Sequence, residues 1–289
     1  MKIAVTGANG FIGQALCDAL SSAGHQVFRW IRMPERSNDR RFSMPDNITE
    51  SLFADKPDWV IHAAYVTQFK RAEATWEANI KGSMRLVELA EKQGAKMLFL
   101  SSLSAHEDAA SIYGRSKFMV ESAIDLKRHL VVKPGVVVGA GGLFLRMIRI
   151  LQRLRFAVLF WGGDQPLYHI ALNDLTHACV QLIEQNAVGR HHLMEPTPYT
   201  VKTLYQILMQ ALSLKPRMLA LPGECSLSIV RCLEKMHLYL PISSENLLGL
   251  KHARLFDSDI ETMGISPITL SDAVSETIAQ LRKTTVHKK

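Results

Sequence analysis

The sequence predicts an α/β chain organised around a parallel sheet, and three observations predict it. The chain starts with an apolar run, Ile3-Ala-Val5, of the kind buried on both faces in parallel sheets. Gly7, Gly10 and Gly13 follow at three-residue intervals, and Ile12, Ala15, Leu16, Ala19, Leu20 and Ala23 then recur on one helical face until Gly24. Further apolar runs at 26–31, 57–64, 97–101 and 131–139 alternate with helical patterns, the rhythm of βαβ units.

The opening stretch has a physical reading of its own. A glycine lacks Cβ, so backbone there can approach a pyrophosphate closely. A helix N-terminus adds unpaired N–H groups and a positive dipole end. The backbone through Gly7, Asn9, Gly10, Phe11, Ile12 and Gly13 is therefore the expected dinucleotide cradle. A glycine turn capping an ordinary αβ unit is the bland alternative. The fuller wording is more specific: Thr6-Gly-Ala-Asn-Gly-Phe-Ile-Gly13 resembles the extended or atypical branch of the short-chain dehydrogenase/reductase superfamily. That resemblance implies a doubly wound parallel-sheet Rossmann fold with a small mixed α/β C-terminal cap. It also implies hydride transfer at a C–OH/C=O centre.

Composition is ordinary for a soluble enzyme and specifies no activity. The chain has 289 residues, 47% hydrophobic and 21% charged, with a net charge of +7. Apart from two local concentrations and a Lys288-Lys289 tail, the basic residues are spread out, so a nucleic-acid partner is not expected. The four cysteines, Cys17, Cys179, Cys225 and Cys232, form no CxxC pair and no metal spacing, which favours reduced thiols and no metal site. No run approaches a membrane span and no signal segment is legible, so a cytoplasmic location and no membrane contact are expected.

In chain order, the second strand at 26–31 ends Arg29-Trp-Ile-Arg32, where an NAD site would place an acid for the ribose hydroxyls. Arg36, Arg40 and Arg41 follow instead. Guanidinium groups there suit a 2′-phosphate, so NADP is expected, with NAD open. Arg32 is the candidate contact, and a solvated basic loop is the alternative for most of Arg36–Arg41. Residues 35–47 read as an irregular loop.

The strand at 57–64 ends His62-Ala-Ala64, resembling the superfamily's strand-four signature, with Ala63 and Ala64 beside the cofactor and His62 packed in the core. The whole stretch Pro57-Asp-Trp-Val-Ile-His-Ala-Ala-Tyr-Val-Thr67 also looks like the matching segment of 4-dehydrorhamnose-type reductases. A helix over 72–93 carries Asn79, matching a family asparagine that holds neighbouring backbone groups.

Tyr113 and Lys117 lie four apart in Ser111-Ile-Tyr-Gly-Arg-Ser-Lys117, so a helix capped near Ser111 would project both from one face. A phenol near pKa 10 suits neutral acid–base work only if neighbouring positive charge lowers it. Y-x-x-x-K alone is often a solvated pair; behind the glycine loop and Ser101-Ser102 it reads as catalytic. In the resemblance, Ser102, Tyr113 and Lys117 are the catalytic residues, Tyr113 and Lys117 also contacting cofactor. Ser101 and Ser104 are secondary candidates for packing and substrate contact. Lys133-Pro-Gly135 resembles the family's R-P-G, with Pro134 and Gly135 near the nicotinamide and a lysine replacing the arginine.

Residues 143–155 form a basic amphipathic helix with Arg146, Arg149, Arg153 and Arg155, followed by an aromatic run. A membrane surface, a nucleotide-linked substrate's diphosphate and a plain solvated lid face are its three readings. Asp174 reads as a helix N-terminal residue with a structural task. Helices are expected near 200–213, 224–238 and 270–283, separated by Pro216, Pro222, Pro241 and Pro267. The implied domains are 1–165 for NADP, with 167–190 returning to it, and 195–289 as a substrate cap to which 140–165 adds a lid helix.

The resulting expectation is an NADP(H)-dependent reductase of a small carbonyl substrate, a keto-sugar nucleotide in the first instance. An epimerase that retains its cofactor and a catalytically silent nucleotide-binding regulator are the alternatives. Leu103 and Ser104 stand where dehydratases add an acidic pair, which argues against dehydration. A homodimer through residues 73–93 and 113–128 is compatible with the family pattern.

Overall fold

The computed structural model describes residues 1–66, 72–215, 217–221, 223–235, 244–252 and 254–286. Thr67, Pro216, Pro222, Pro241, the 236–238 end of the helix expected at 224–238, and the Lys288-Lys289 tail lie outside them. The chain forms two compact units: Met1–Pro134 with Leu175–Leu193, and Gly135–Asp174 with Met194–Lys289.

The first unit runs β1 (Lys2–Thr6), α1 (Phe11–Ser22), β2 (Gln26–Ile31), β3 (Asp39–Arg41), β4 (Trp59–His62), α2 (Ala72–Lys92), β5 (Lys96–Leu100), α3 (Ile112–Ser122) and β6 (Leu130–Pro134). Within the second unit, β7 (Val136–Val138), α4 (Gly142–Leu154), β8 (Ala157–Phe160), β9 (Pro166–Leu167) and β10 (His169–Ala171) follow. Helix α5 (Leu172–Glu184) then leads back to β11 (Gly189–Leu193) in the first.

Seven strands make one sheet in the order β11-β6-β5-β4-β1-β2-β3, every neighbouring pair parallel. The order reverses direction between β1 and β4, which makes a doubly wound sheet with its switch point there. Ile3, Ala4, Val5, Val60, Ile61, Leu98 and Phe99 are fully buried, as central parallel strands require. Leu86, Val87, Leu89 and Ala90 of α2 cover one face.

The segment 35–47 corrects the sequence reading. Asp39–Arg41 is not loop but an edge strand, with Arg29 opposite Asp39. Hydropathy could not show it, because its order comes from polar groups and one anchor. The Asp39 carboxylate accepts the Glu35 and Arg36 N–H groups at 2.8 and 2.9 Å, closing the turn. Phe42 then stacks on Trp30, which also meets Phe53 edge-on at 5.3 Å.

In the second unit, β7 pairs with β10 in parallel, β8 pairs in parallel with β13 (Met218–Leu221), and β9 pairs antiparallel with β12 (Tyr199–Thr200). Helices α6 (Val201–Ala211), α7 (Gly223–Lys235), α8 (Ser244–Lys251) and α9 (Leu270–Val286) complete a mixed α/β body. Its core joins Val138, Phe144, Met147, Ile148 and Leu151 to Leu204, Tyr205, Leu208, Val274 and Ile278. Residues 135–165 thus pack here; the sequence reading counted 1–165 with the cofactor domain while giving 140–165 to the cap as a lid helix. The reason is that β7 leaves the seven-stranded sheet to pair with β10, and α4 buries its apolar face in this second core. Helix α8 and strands β12 and β13 had no legible periodicity. No described helix is long and apolar enough to cross a membrane.

Candidate active site

Gly7 leaves β1 at φ +66, a backbone state that L side chains rarely adopt, and a Cβ there would stand 2.9 Å from the Ala64 Cα. A Cβ on Gly13 would overlap the Gly7 carbonyl. Both positions therefore require glycine, and the requirement brings the β1 turn flush against Ala63 and Ala64 at the end of β4. Gly10 is the N-cap of α1 and offers no side-chain cap, so the first-turn N–H groups of Phe11, Ile12 and Gly13 lack one too. Asn9 and Gly10 are exposed beside them. This glycine-rich cradle at the sheet's switch point fits a dinucleotide's phosphates.

Asn79 is fully buried in α2. Its amide clasps Val66, accepting from the Val66 N–H at 2.9 Å and donating to the Val66 carbonyl at 3.0 Å. It thereby fixes the chain leaving Ala63-Ala64. His62 is a packed residue: its ring bridges Thr6 and Ser83 at 2.9 Å each, and burial, aided by the Lys117 charge, pulls its pKa down to about 3.

The basic loop divides. Arg29 pairs with buried Asp39 at 3.4 Å, and Arg40 pairs with Asp55 at 2.7 Å. Arg32, Arg36 and Arg41 are exposed, and no carboxylate pairs with them among the described residues. Asp39, opposite Arg29 of β2, is already engaged by two backbone N–H groups and Arg29.

Ser102, Tyr113 and Lys117 come together in the first unit. Ser111 caps α3 by accepting from the Gly114 N–H at 3.0 Å, which places Tyr113 in the first turn and Lys117 one turn later. Burial pushes the Tyr113 phenol up to about 12, with the nearby Ser102 hydroxyl acting the other way. Lys117 is 3% exposed; its Nζ donates to the Leu100 carbonyl at 2.6 Å. Nζ also lies 4.1, 4.8 and 5.5 Å from the ring centroids of Tyr65, Phe99 and Tyr113. Burial pulls the ammonium down to about 7, opposed by the Glu121 carboxylate. The trio can present two hydroxyl groups to an oxygen atom, with a titratable amine behind the phenol; the sequence led us to expect a lowered phenol pKa, but burial raises it instead.

Two further residues escaped the sequence reading. Tyr65 meets Tyr113 edge-on at 5.7 Å, and its hydroxyl bonds Ser116. Glu121 is buried one turn beyond Lys117, where Ser101 donates to it, Lys133 pairs with it at 3.2 Å and Arg190 approaches at 3.5 Å. Lys133 also donates to the Ala105 carbonyl, tying down the loop that carries Ser102. The Tyr113–Lys117–Glu121 spacing was a signal for Glu121; nothing in the pattern marked Tyr65. Ser101 therefore bonds Glu121, and the Ser104 N–H donates to the Ser102 Oγ at 3.2 Å. Pro134 ends β6, and Gly135 begins the second unit, where a Cβ would stand 2.8 Å from the Tyr168 carbonyl oxygen. Among the described residues no cluster of His, Cys, Asp or Glu could hold a metal.

Residues 3–194 match the family described as NAD dependent epimerase/dehydratase. Ceramide reductase of Caulobacter vibrioides is 28% identical over 149 residues, covering 48% of this chain; the chain spans about half the length of that relative, 47%. Among solved structures, UDP-glucose 4-epimerase from Thermotoga maritima, determined with UDP-glucose, has a TM-score of 0.77 at 20% identity, covering 99% of this chain and 100% of that one. A human epimerase family protein determined with NADPH has a TM-score of 0.75 at 19% identity, covering 96% and 99%. At such identities the likeness is one of fold.

Proposed function

The chain belongs to the NAD dependent epimerase/dehydratase family, and on that premise we propose that it is an NADP(H)-dependent reductase of a small carbonyl substrate. The observation that carries the reading is Tyr113, with the Ser102 hydroxyl acting on its phenol and Lys117 one helical turn away. The glycine cradle, Ala63, Ala64 and Asn79-held Val66 would hold the cofactor, with Tyr113 and Lys117 also in contact, and Pro134 and Gly135 near its nicotinamide. Arg32, exposed and without a carboxylate partner among the described residues, would bind a ribose 2′-phosphate. Engagement of Asp39 by Arg29 and backbone supports NADP over NAD.

When bound, the reduced nicotinamide supplies hydride. The Ser102 hydroxyl would hold the carbonyl oxygen of the substrate. Tyr113 would give its proton to that oxygen, and the Lys117 ammonium would stabilise the phenolate left behind. The Tyr-Gly-Arg-Ser-Lys wording makes a keto-sugar nucleotide the first substrate class to test, and the relative named as a reductase supports reduction over epimerisation.

NADPH oxidation with a panel containing a keto-sugar nucleotide and an apolar ketone tests the proposal. Wild type should reduce a member of the panel, and Tyr113→Phe should lose about a hundredfold to ten-thousandfold in kcat. Equal rates from the two proteins would overturn it. So would NADPH binding with no carbonyl reduced, which would favour a silent regulator.

A further inference from the structure

Away from this cluster, the second unit carries a face of one-sided charge. Residues 135–163 include Arg146, Arg149, Arg153 and Arg155 and no Asp or Glu; residues 196–221 add Lys202, Lys215 and Arg217, again with no acid. Helix α4 buries Phe144, Met147, Ile148 and Leu151 and turns Arg146, Arg149 and Arg153 outward on the opposite face. Lys215 and Arg217 are exposed as well. None of these arginines pairs with a carboxylate among the described residues.

Apolar surface meets these cations where α4 ends. Arg155 takes the left-handed C-cap, Phe156 leads into β8, and the Ala157 N–H donates to the Arg217 carbonyl at 2.9 Å. The β8–β13 register then sets Leu219 beside Val158. Leu154, Phe156 and Leu219 are 43%, 37% and 53% exposed in this one neighbourhood. A lone exposed leucine is ordinary on a protein surface. Three exposed apolar side chains next to Arg153, Arg155 and Arg217, none of which pairs with a carboxylate among the described residues, suit an occupant with acidic groups over an apolar layer. A nucleic acid offers phosphates, but its base faces suit aromatic side chains rather than Leu154 and Leu219. A bilayer with acidic headgroups offers both.

We propose that the face formed by the end of α4 and the β8–β13 pair docks the chain on an anionic phospholipid surface. The apolar stripe of α4 is committed to the core, so the helix does not insert. Its outward guanidiniums meet the phosphates, while Leu154, Phe156 and Leu219 enter just beneath. The sequence reading counted a membrane surface among three uses of this helix and expected no membrane contact. Exposure of the apolar trio at its end is the observation that favours the membrane use. The inference stands whatever the Ser102–Tyr113–Lys117 cluster does.

Co-sedimentation of the full chain with phosphatidylcholine vesicles, with and without phosphatidylglycerol, tests it. Wild type should sediment with the mixed vesicles and not with pure phosphatidylcholine. Combined Arg149→Gln, Arg153→Gln and Arg155→Gln should weaken binding about a hundredfold, at about fivefold per cation. Combined Leu154→Ser and Leu219→Ser should weaken it with the charge unchanged. All the substituted residues are exposed, and matching melting temperatures check the folds. Lack of preference by wild type for phosphatidylglycerol overturns the proposal without any variant. Two other results also overturn it: the serine pair binding like wild type while duplex DNA competes fully, or the serine pair converting a dimer to a monomer in sedimentation equilibrium.

Discussion

Replacing Lys117 by methionine should abolish turnover and yet make the protein more stable near neutrality. The ammonium is buried, and its pKa falls from an ordinary 10.5 to about 7. A shift of that size corresponds to about 5 kcal/mol of penalty on the charged form. Methionine removes the charge and fills the space against Tyr65 and Phe99, but leaves the Leu100 carbonyl without its donor, at about 1–3 kcal/mol. A net gain of about 2 kcal/mol follows at pH near 6.5. The pH dependence is the sharper signature. The unfolded lysine keeps its proton up to about 10.5, whereas the folded one releases it near 7. Between those values the unfolded chain holds more protons, so wild-type stability climbs with pH. From about pH 6.5 to about 9.5 wild type should gain about 3 kcal/mol on the variant, reversing their order. Urea titrations across that range measure it. Parallel stability curves for the two proteins would refute the reasoning, because Lys117 would then titrate as it does in the unfolded chain.

Three other outcomes are expected. The kcat/KM for carbonyl reduction should fall about tenfold per pH unit above about 7, as Lys117 loses its proton; a flat profile to pH 9 would remove its charge from the mechanism. Glu121→Gln should cost about 3–5 kcal/mol in thermal unfolding, since it removes the negative charge that balances the buried Lys133 cation. It should also move the falling limb of that pH profile lower, because Glu121 raises the Lys117 pKa. Arg32→Ala should raise KM for NADPH about tenfold to a hundredfold and leave KM for NADH unchanged; equal effects on the two cofactors would place the 2′-phosphate elsewhere.

The parts of the site legible in the sequence are those where local chemistry leaves few choices. Gly7 and Gly13 can be nothing else, because any Cβ meets backbone. Ser111 is a helix cap by its own hydroxyl, and the cap alone puts Tyr113 and Lys117 on one face. Asn79 stood out because an amide inside a helix needs a partner, which turned out to be Val66. What stayed hidden depends on groups distant in sequence. Glu121 looks like any exposed helix glutamate until Ser101, Lys133 and Arg190 converge on it. Tyr65 gains significance only when α3 brings Lys117 beneath its ring. Strand β3 has a single apolar anchor, and the departure of β7 towards β10 is a choice between two pairing partners that apolar runs cannot rank.

The return of residues 175–193 to the first unit has a consequence for synthesis. The wholly buried strand β6 leaves the ribosome well before its outer neighbour β11 is made. Until then one flank of an apolar sheet offers open hydrogen-bonding groups to any passing chain. A nascent or prematurely terminated polypeptide that stops between the two strands should be a client for chaperones and a seed for aggregates.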